Sequence, residues 1–278
     1  MTDRSQRSGK RLRGITEKEV EEVEELSSPR TPVIYEIVRR LGEEEMARPF
    51  ASLWWSGTAA GLSISFSLLA QALLEMELPD APWRPLVASF GYSVGFLMAV
   101  LSRQQLFTES TITAVLPLAA HLTLINLARM ARMWAIVLAA NLVGTLVAAA
   151  LCSWTPALAP KVLQAMIEVS HRLLELSWSA MFFRGITAGF LIAAMVWLMP
   201  GAEGTQFHVI TLITYLVALG GFTHIVAGSV EAFILLMNGH AGIGWVLFDF
   251  AVPTLLGNII GGTALFAVIA YAQVMKEI

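Results

Sequence analysis

The chain has 278 residues, of which 56% are hydrophobic and 14% are charged, and its mean hydropathy is +0.67. A soluble domain carries about 25% charged residues, so this composition excludes an ordinary soluble protein and indicates several membrane spans. The net charge of −3 argues against a nucleic-acid partner, which would require a basic surface. The single cysteine, Cys152, excludes an intrachain disulfide and a cysteine-based metal cage. We predict neither a metal site nor a cofactor.

The charges are concentrated at the N-terminus. Residues 1–48 hold ten of the 18 lysines and arginines and eleven of the 21 acidic residues. We therefore predict two parts, which are a charged cytoplasmic tail over residues 1–48 and a membrane pore domain over residues 49–278.

Two stretches of this tail have helical patterns. Thr16 and Glu19 have the spacing of a capping box at the start of a helix. Farther on, Thr31 and Pro32 have the residue types of an N-cap and a first helical position, and Gly42 would end that helix. Its apolar stripe consists of Ile34, Ile37, Val38 and Leu41. This amphipathic helix would lie on the membrane face or on a neighbouring subunit, or it would act as a gate.

Six hydrophobic stretches are long enough to span a membrane. A helix needs about 20 apolar residues to cross a hydrocarbon core about 30 Å thick. The predicted spans run from about Phe50 to Leu74, Leu86 to Leu118, Met133 to Leu151, Ala180 to Leu198, Val209 to Leu236, and Leu247 to Gln273. We expect an all-α polytopic membrane protein in which polar residues break the second and fifth spans.

Lysine and arginine near the span ends predict the orientation, because both are enriched on the cytoplasmic side. The tail is rich in both, Arg129 and Arg132 lie between the second and third spans, and Lys276 is near the C-terminus. With six spans, both termini are then predicted to be cytoplasmic.

Two short sequence patterns each occur twice in the chain. SGTAAG at 56–61 matches RGITAG at 184–189, in the first and fourth spans, and NLVGT at 141–145 matches NIIGG at 258–262, in the third and sixth. The two halves, which cover about 49–152 and 178–275, then hold three spans each. An odd number of spans places the halves in opposite orientations. An inverted repeat with broken helices is typical of transporters, whose binding site lies near the midplane.

The small residues of this repeat are predicted first as packing residues, because they let membrane helices approach closely. The set consists of Gly57, Gly61, Gly185, Gly189, Asn141, Gly144, Asn258 and Gly261. A role in lining the pore is the second interpretation.

The two polar interruptions hold the strongest functional candidates. The second span contains Arg103 and Glu109 within SRQQLFTESTITAVLP, and the fifth contains His224 and Glu231 within GGFTHIVAGSVEAF. A charged side chain at the bilayer centre costs about 2.5–3.5 kcal/mol, and irregular backbone at that depth is buried in protein or lines a cavity. Free N–H groups at a half-helix N-terminus attract an anion, and the Thr108 hydroxyl can donate to a permeating oxygen.

These candidates also have structural interpretations. Arg103 and Glu109 could neutralise each other across the break. Glu231 follows His224 by seven residues, which is about two helical turns, so the two can share a face. Glu231 could then pair with an arginine or lie near a pore mouth.

His224 has apolar surroundings, since its neighbours are Phe222, Thr223, Ile225 and Val226. We expect desolvation to favour the neutral ring, whereas an arriving anion would favour the protonated ring. His224 would then be a proton donor or an electrostatic attractor for a weak-acid anion. The alternative is a histidine held by hydrogen bonds between helices, without a role in transport.

These segments resemble those of a known family. LFTES, GGFTHIVAGSVEAF and PTLLGNIIGG are similar to the signature segments of the formate/nitrite transporter family, and FFRGITAGFLIAAMVWL and ANLVGTL resemble its fourth and third spans. The similarity runs from about Pro49 to Met275. RQQLFTE and THIVAGSVE are closest to a less characterised branch of bacterial inner-membrane proteins rather than to the formate channels.

The resemblance implies an aquaporin-like fold of six spans, assembled as a pentamer with one pore per protomer in the bacterial inner membrane. In this family, small monovalent anions such as formate, nitrite or hydrosulfide pass by channel-like or proton-linked transport. The family's loop threonine and central histidine correspond to Thr108 and His224. Its hydrophobic slits correspond to Leu106 and Phe107 on one side and to Val217 on the other.

The chain departs from the formate channels at three positions. Thr223 stands where they have glutamate before the histidine, and Gly228 stands where they have asparagine four residues after it. Glu109 follows the LFT motif where they have a small residue. These differences change how the protonation of His224 would be set and place a carboxylate beside the loop.

Three functional classes follow from these observations. The first is a pore for a small monovalent anion such as formate or nitrite. The second is a non-conducting membrane scaffold or sensor with a vestigial pore, and a pore for a neutral or other small solute is a further alternative. We find no nucleophile–base spacing, no HExxH and no phosphate loop in the sequence, and we therefore do not predict an enzyme.

Overall fold

The structure is a computed structural model that describes Thr16, Glu19 and residues 29–277. Every regular element in these parts of the chain is a helix, as predicted. The backbone N–H and the hydroxyl of Thr16 each donate to Oε2 of Glu19 at 2.7 Å, which confirms the predicted capping pair. The rest of the first predicted tail helix lies outside the described residues.

The helices of the described chain are numbered here in sequence order. They are α1 (Thr31–Ala47), α2 (Phe50–Glu77), α3 (Arg84–Leu101), α4 (Phe107–Thr113), α5 (Val115–Ala120), α6 (Leu124–Trp154), α7 (Pro160–Ser170), α8 (Trp178–Leu198), α9 (Gln206–Leu219), α10 (Ile225–Met237) and α11 (Trp245–Val274). Short 3₁₀ turns interrupt α3 at Ser89–Tyr92, and π-helical turns occur in α11 at Trp245–Ala251 and Gly261–Ala267.

Five of these helices are long and apolar enough to cross a membrane, namely α2, α3, α6, α8 and α11. The predicted fifth span is not one continuous helix, because it falls on the two shorter apolar helices α9 and α10.

Both predicted interruptions are present. In the first, α3 ends at Leu101 and α4 begins at Phe107, and Arg103 between them adopts a left-handed backbone with φ of 52°. In the second, residues 220–224 separate α9 from α10, and Gly221 has φ of 60°. A left-handed residue turns the chain sharply and favours glycine, so its occurrence at Arg103 marks the first break as a constrained turn.

Close contacts between small residues join the spans in two pairs, α2 with α6 and α8 with α11. A Cβ atom added to Gly61 would lie 2.9 Å from the Cα of Gly144, and one added to Gly185 would lie 3.3 Å from the Cα of Gly257. Added Cβ atoms on the other predicted glycines would come within 3 Å of a facing helix, at Gly57, Gly144, Gly189 and Gly261. These positions agree with a packing role.

Helix α1 belongs to the same compact unit as the spans, which covers residues 31–278. Its buried residues are Tyr35, Val38, Gly42 and Met46. The predicted apolar stripe is therefore only partly right, because α1 has two apolar faces and Ile37 lies on the exposed one. The prediction that Gly42 ends this helix is wrong. A side chain at Gly42 would collide with the carbonyl of Thr113, so this glycine permits close packing inside the helix.

Candidate functional site

His224 lies at the start of α10, in the second break, and acts as the N-cap of that helix. Its Nδ1 accepts a hydrogen bond from the backbone N–H of Ala227 at 3.1 Å. In a neutral ring the hydrogen is then on Nε2, which lies 2.7 Å from Oγ1 of Thr108. With this assignment the imidazole is the donor and the Thr108 oxygen is the acceptor.

Thr108 lies in the first turn of α4, so its contact with His224 joins the two broken spans. Both side chains are buried, with exposures of 0% and 1%. The hydroxyl of Thr111 donates to the Thr108 carbonyl oxygen at 2.7 Å and stabilises this turn. The ring of Phe96 packs edge-on against His224, with centroids 5.2 Å apart. Sequence reasoning did not predict Phe96, which is one apolar residue among many in its span.

Asn141 of α6 holds the first break in place. Its Oδ1 accepts a hydrogen bond from the backbone N–H of Phe107 at 2.9 Å. Its Nδ2 donates to the carbonyl oxygens of Gln105 at 2.9 Å and Gly57 at 2.8 Å. Backbone groups freed by a broken helix need such partners, because no water in the bilayer core replaces them.

Asn258 of α11 holds the second break in the same way. Its Oδ1 accepts from the backbone N–H of Ile225 at 2.8 Å, and its Nδ2 donates to the carbonyl oxygens of Thr223 and Gly185, each at 2.9 Å. The two asparagines were predicted as packing residues, and the structure adds that they bind the backbone of the breaks.

The predicted slit residues are buried close to the Thr108–His224 contact. Leu106 and Phe107 are each 1% exposed, and the Phe107 ring packs edge-on against Trp134 at 5.8 Å. Val217 of α9 is fully buried and lines a cavity that also reaches His224. The contact between Thr108 and His224 therefore has apolar neighbours on two elements. Leu106 and Phe107 directly precede Thr108 in the chain, and Val217 lies on α9.

The cavity beside His224 has a volume of about 450 Å³. Its wall includes Arg172, which contacts Glu75 near the end of α2. Because α1 precedes the start of α2, the cavity lies toward the end of the bundle remote from α1. Thr223 is one of its lining residues, and its hydroxyl donates to the Met181 carbonyl oxygen at 2.7 Å. The polar lining also includes Gln71, Tyr92, Arg172, Glu175, Arg184 and Glu231.

Glu231 is one of the residues that line this cavity. Of the two arginines in the cavity wall, Arg184 donates to the Gly221 carbonyl oxygen at 3.4 Å. Arg172 donates to both carboxylate oxygens of Glu75, each at 2.7 Å. This pair joins the end of α7 to α2. The sequence did not predict Arg172 or Glu75, because both lie at helix ends where charged residues are common.

Arg103 does not neutralise Glu109, so the structural interpretation of these two residues is wrong. The left-handed turn places Arg103 at the surface, and the structure shows no ion pair between them. The Oε1 atom of Glu109 is buried without a hydrogen-bond partner.

Glu45 of α1 lies close to that carboxylate. It accepts hydrogen bonds from Nε2 of Gln105 at 2.8 Å and from Oγ1 of Thr113 at 2.6 Å, on either side of Glu109 in the sequence. Burial raises the pKa of the Glu45 carboxyl above its ordinary value, despite these two donors. The Glu45 side chain thus links helix α1 to the residues around the first break by hydrogen bonds. The sequence does not distinguish Glu45 from the other acidic residues of the tail.

Two interrupted helices that meet at one polar contact, beside buried apolar residues and a cavity, are typical of membrane channels and transporters. The fold and the site therefore place the chain in that class. The model of the formate/nitrite transporter family matches residues 32–272, and the chain belongs to this family.

Individual relatives agree with this assignment. The chain is 40% identical to the inner membrane protein YfdC of Escherichia coli, over 94% of this chain and 84% of that protein. It is 27% identical to the formate channel FocA of Haemophilus influenzae, over 77% of this chain and 84% of that protein.

Solved structures share the fold. A pentameric formate channel with formate bound has a TM-score of 0.69 and 17% identity, over 82% of this chain and 98% of that one. An ion channel of the same family has a TM-score of 0.73 and 18% identity, over 87% and 98%.

Proposed function

We propose that each copy of the chain forms a pore for a small monovalent anion of a weak acid, such as formate or nitrite. The observation that carries this proposal is the contact of 2.7 Å between Thr108 Oγ1 and His224 Nε2, which joins the two broken spans beside a cavity. An anion that reaches this point meets a ring N–H and a hydroxyl, both of which can donate to it. The N-terminus of α10 adds a favourable dipole at the same place.

The proposal includes an architecture. α9 and α10 together form the fifth of six spans, the two halves are inverted repeats, and residues 1–48 and both termini are cytoplasmic. The matching hydrogen bonds of Asn141 and Asn258 support two equivalent halves. The solved pentameric formate channel supports a pentamer, and the name of the Escherichia coli relative supports the bacterial inner membrane.

The test is anion flux into proteoliposomes that contain the full chain. Formate, nitrite, hydrosulfide, lactate and one neutral solute are compared between pH 5 and pH 8. We expect selective anion flux that falls at least tenfold in His224→Ala and is retained in His208→Ala, which changes an exposed histidine outside the site. Selective flux that is unchanged in His224→Ala would remove the site assignment. No flux of any solute from correctly assembled protein would favour the non-conducting scaffold.

A further inference from the structure

Two histidines that are 69 residues apart in the chain meet at the end of the bundle remote from α1. Nε2 of His171 lies 3.2 Å from Nδ1 of His240, and the two rings are tilted by 72° with centroids 4.7 Å apart. Both side chains are exposed to solvent. The pair lies next to Arg172, a residue of the cavity wall.

The backbone of His240 is fixed by the turn that ends α10. Its N–H donates to the Leu235 carbonyl oxygen at 2.8 Å, and the N–H of Gly239 donates to the Leu236 carbonyl oxygen at 3.2 Å. Gly239 has φ of 78°, which completes a Schellman motif. This turn presents the imidazole of His240 from a defined position rather than from a free loop.

The backbone of His171 is fixed at the end of α7. It begins a 3₁₀ turn in which its carbonyl oxygen accepts a hydrogen bond from the N–H of Leu174 at 3.0 Å. Leu173 in this turn is buried and holds it against the bundle. The two ring nitrogens therefore face each other from two rigid supports, which is what a ligand site requires.

The spacing of the two nitrogens suits a metal ion. Imidazole nitrogens bind Zn²⁺ at about 2.0–2.1 Å, so two of them in a tetrahedral site lie roughly 3.3–3.4 Å apart. The observed separation is 3.2 Å. An exposed hydrogen bond between two neutral rings contributes little by itself, because water offers the same bonds.

We propose that His171 and His240 form a binding site for a divalent transition-metal ion of the type that imidazole prefers, with Zn²⁺ and Cu²⁺ as the leading examples. The described residues contain no group of three or more His, Cys, Asp or Glu that could hold a metal ion, so the protein would supply two ligands at this site. The remaining ligand positions would be filled by water, so the ion would exchange readily. Bound there, it would tie the end of α7 to the end of α10 and add positive charge beside the cavity.

The test is metal binding by the full chain, purified in detergent with any histidine tag removed. Titration with ZnCl₂ in a calorimeter at pH 7.5 is expected to show saturable binding of one ion per chain. His171→Ala and His240→Ala should each weaken this binding at least tenfold, whereas His121→Ala, which changes a histidine elsewhere in the chain, should leave it unchanged.

A second readout identifies the ligands directly. The electron paramagnetic resonance spectrum of one equivalent of Cu²⁺ should show coupling to imidazole nitrogen in the wild type, and this signal should be lost in the double variant. Elution of each variant at the wild-type volume on size exclusion verifies assembly. Absence of saturable binding, or binding that neither substitution weakens, would overturn the proposal. Neither readout measures flux, so the result is independent of the proposed pore function.

Discussion

Asn141 and Asn258 make the same three hydrogen bonds at equivalent points of two broken spans. Each side-chain oxygen accepts from the N–H of the first residue of a half-helix. Each side-chain nitrogen donates to two carbonyl oxygens. One belongs to the residue two positions before that half-helix residue, and the other belongs to a glycine in a facing helix. One residue type thus satisfies the backbone groups that each break exposes, and it fixes where the half-helix begins.

Replacing either asparagine by alanine should destabilise the protein strongly. Each substitution leaves one buried N–H and two carbonyl oxygens without this partner, and a buried polar group without a partner costs about 1–3 kcal/mol. We expect the free energy of unfolding to fall by about 3 kcal/mol or more, by similar amounts in Asn141→Ala and Asn258→Ala. Thermal unfolding in detergent measures this. Asn126→Ala, at a half-buried position where the amide donates to the His121 carbonyl oxygen in an exposed loop, is the control, and wild-type stability in either site variant would contradict the prediction.

The sequence predicts the breaks well because polar residues inside long apolar runs have few structural explanations. Thr108 and His224 were found in this way, and the repeated motifs identified both asparagines as equivalent. The sequence does not predict that Arg103 turns to the surface, because this depends on one left-handed residue. It likewise does not distinguish Glu45 among the tail acids, since its role depends on how α1 is placed.

Contacts between distant parts of the chain are also beyond sequence reasoning. His171 and His240 have no recognisable ligand spacing, and only the packing of α7 against the end of α10 brings them together. Within the predicted apolar stripe of α1, Val38 is buried whereas Ile37 and Leu41 are exposed, because apolar residues cover two sides of that helix. Its packing surface, and not its sequence pattern, decides which side is buried.

Gly61→Ala should destabilise the contact between α2 and α6. The added Cβ would lie 2.9 Å from the Cα of Gly144, which forces the two helices apart. Such overpacking costs about 1–3 kcal/mol, so we expect a lower midpoint of thermal unfolding. Gly244→Ala is the matched control, because nothing lies within 4 Å of a Cβ atom there. Equal midpoints for the two variants would show that the contact between the helices is looser than the structure indicates.

Attachment of α1 to the first break should depend on pH through Glu45. Burial raises the pKa of this carboxyl above the unfolded value of 4.5, so the protonated form is the one that the folded site favours. The resulting stabilisation is complete below about pH 4.5 and is lost as the pH rises through the raised folded value. Hydrogen exchange of the α1 amides, corrected for intrinsic rates, should be slower at pH 5 than at pH 8.

Glu45→Gln should remove that difference, because the neutral amide does not titrate. Glu44→Gln changes an exposed neighbouring carboxyl and should leave the difference intact. If the pH effect persists in Glu45→Gln, another group causes it, such as Glu109, whose Oε1 atom is buried without a partner.

The hydroxyl of Thr108 should be required for flux. Thr108→Val keeps the shape of the side chain but leaves the Nε2–H of His224 without its acceptor at 2.7 Å, whereas Thr108→Ser keeps the hydroxyl. We expect formate flux to fall at least tenfold in the valine variant and by less than threefold in the serine variant, since one lost hydrogen bond to an anion corresponds to about 1.5–3 kcal/mol. Equal flux in the two variants would limit Thr108 to a packing role.

Glu231 should reduce anion entry through the cavity. Its carboxylate lines the same wall as His224, and a negative charge there repels an anion in a partly desolvated site. Glu231→Gln is therefore expected to raise formate flux several-fold, because about 1.4 kcal/mol of barrier corresponds to a factor of ten. The flux of a neutral solute should not change. Glu175→Gln, at an exposed position on the cavity wall, should have a weaker effect that disappears at high salt. A loss of formate flux in Glu231→Gln would instead show that the carboxyl assists the anion, as a proton donor would.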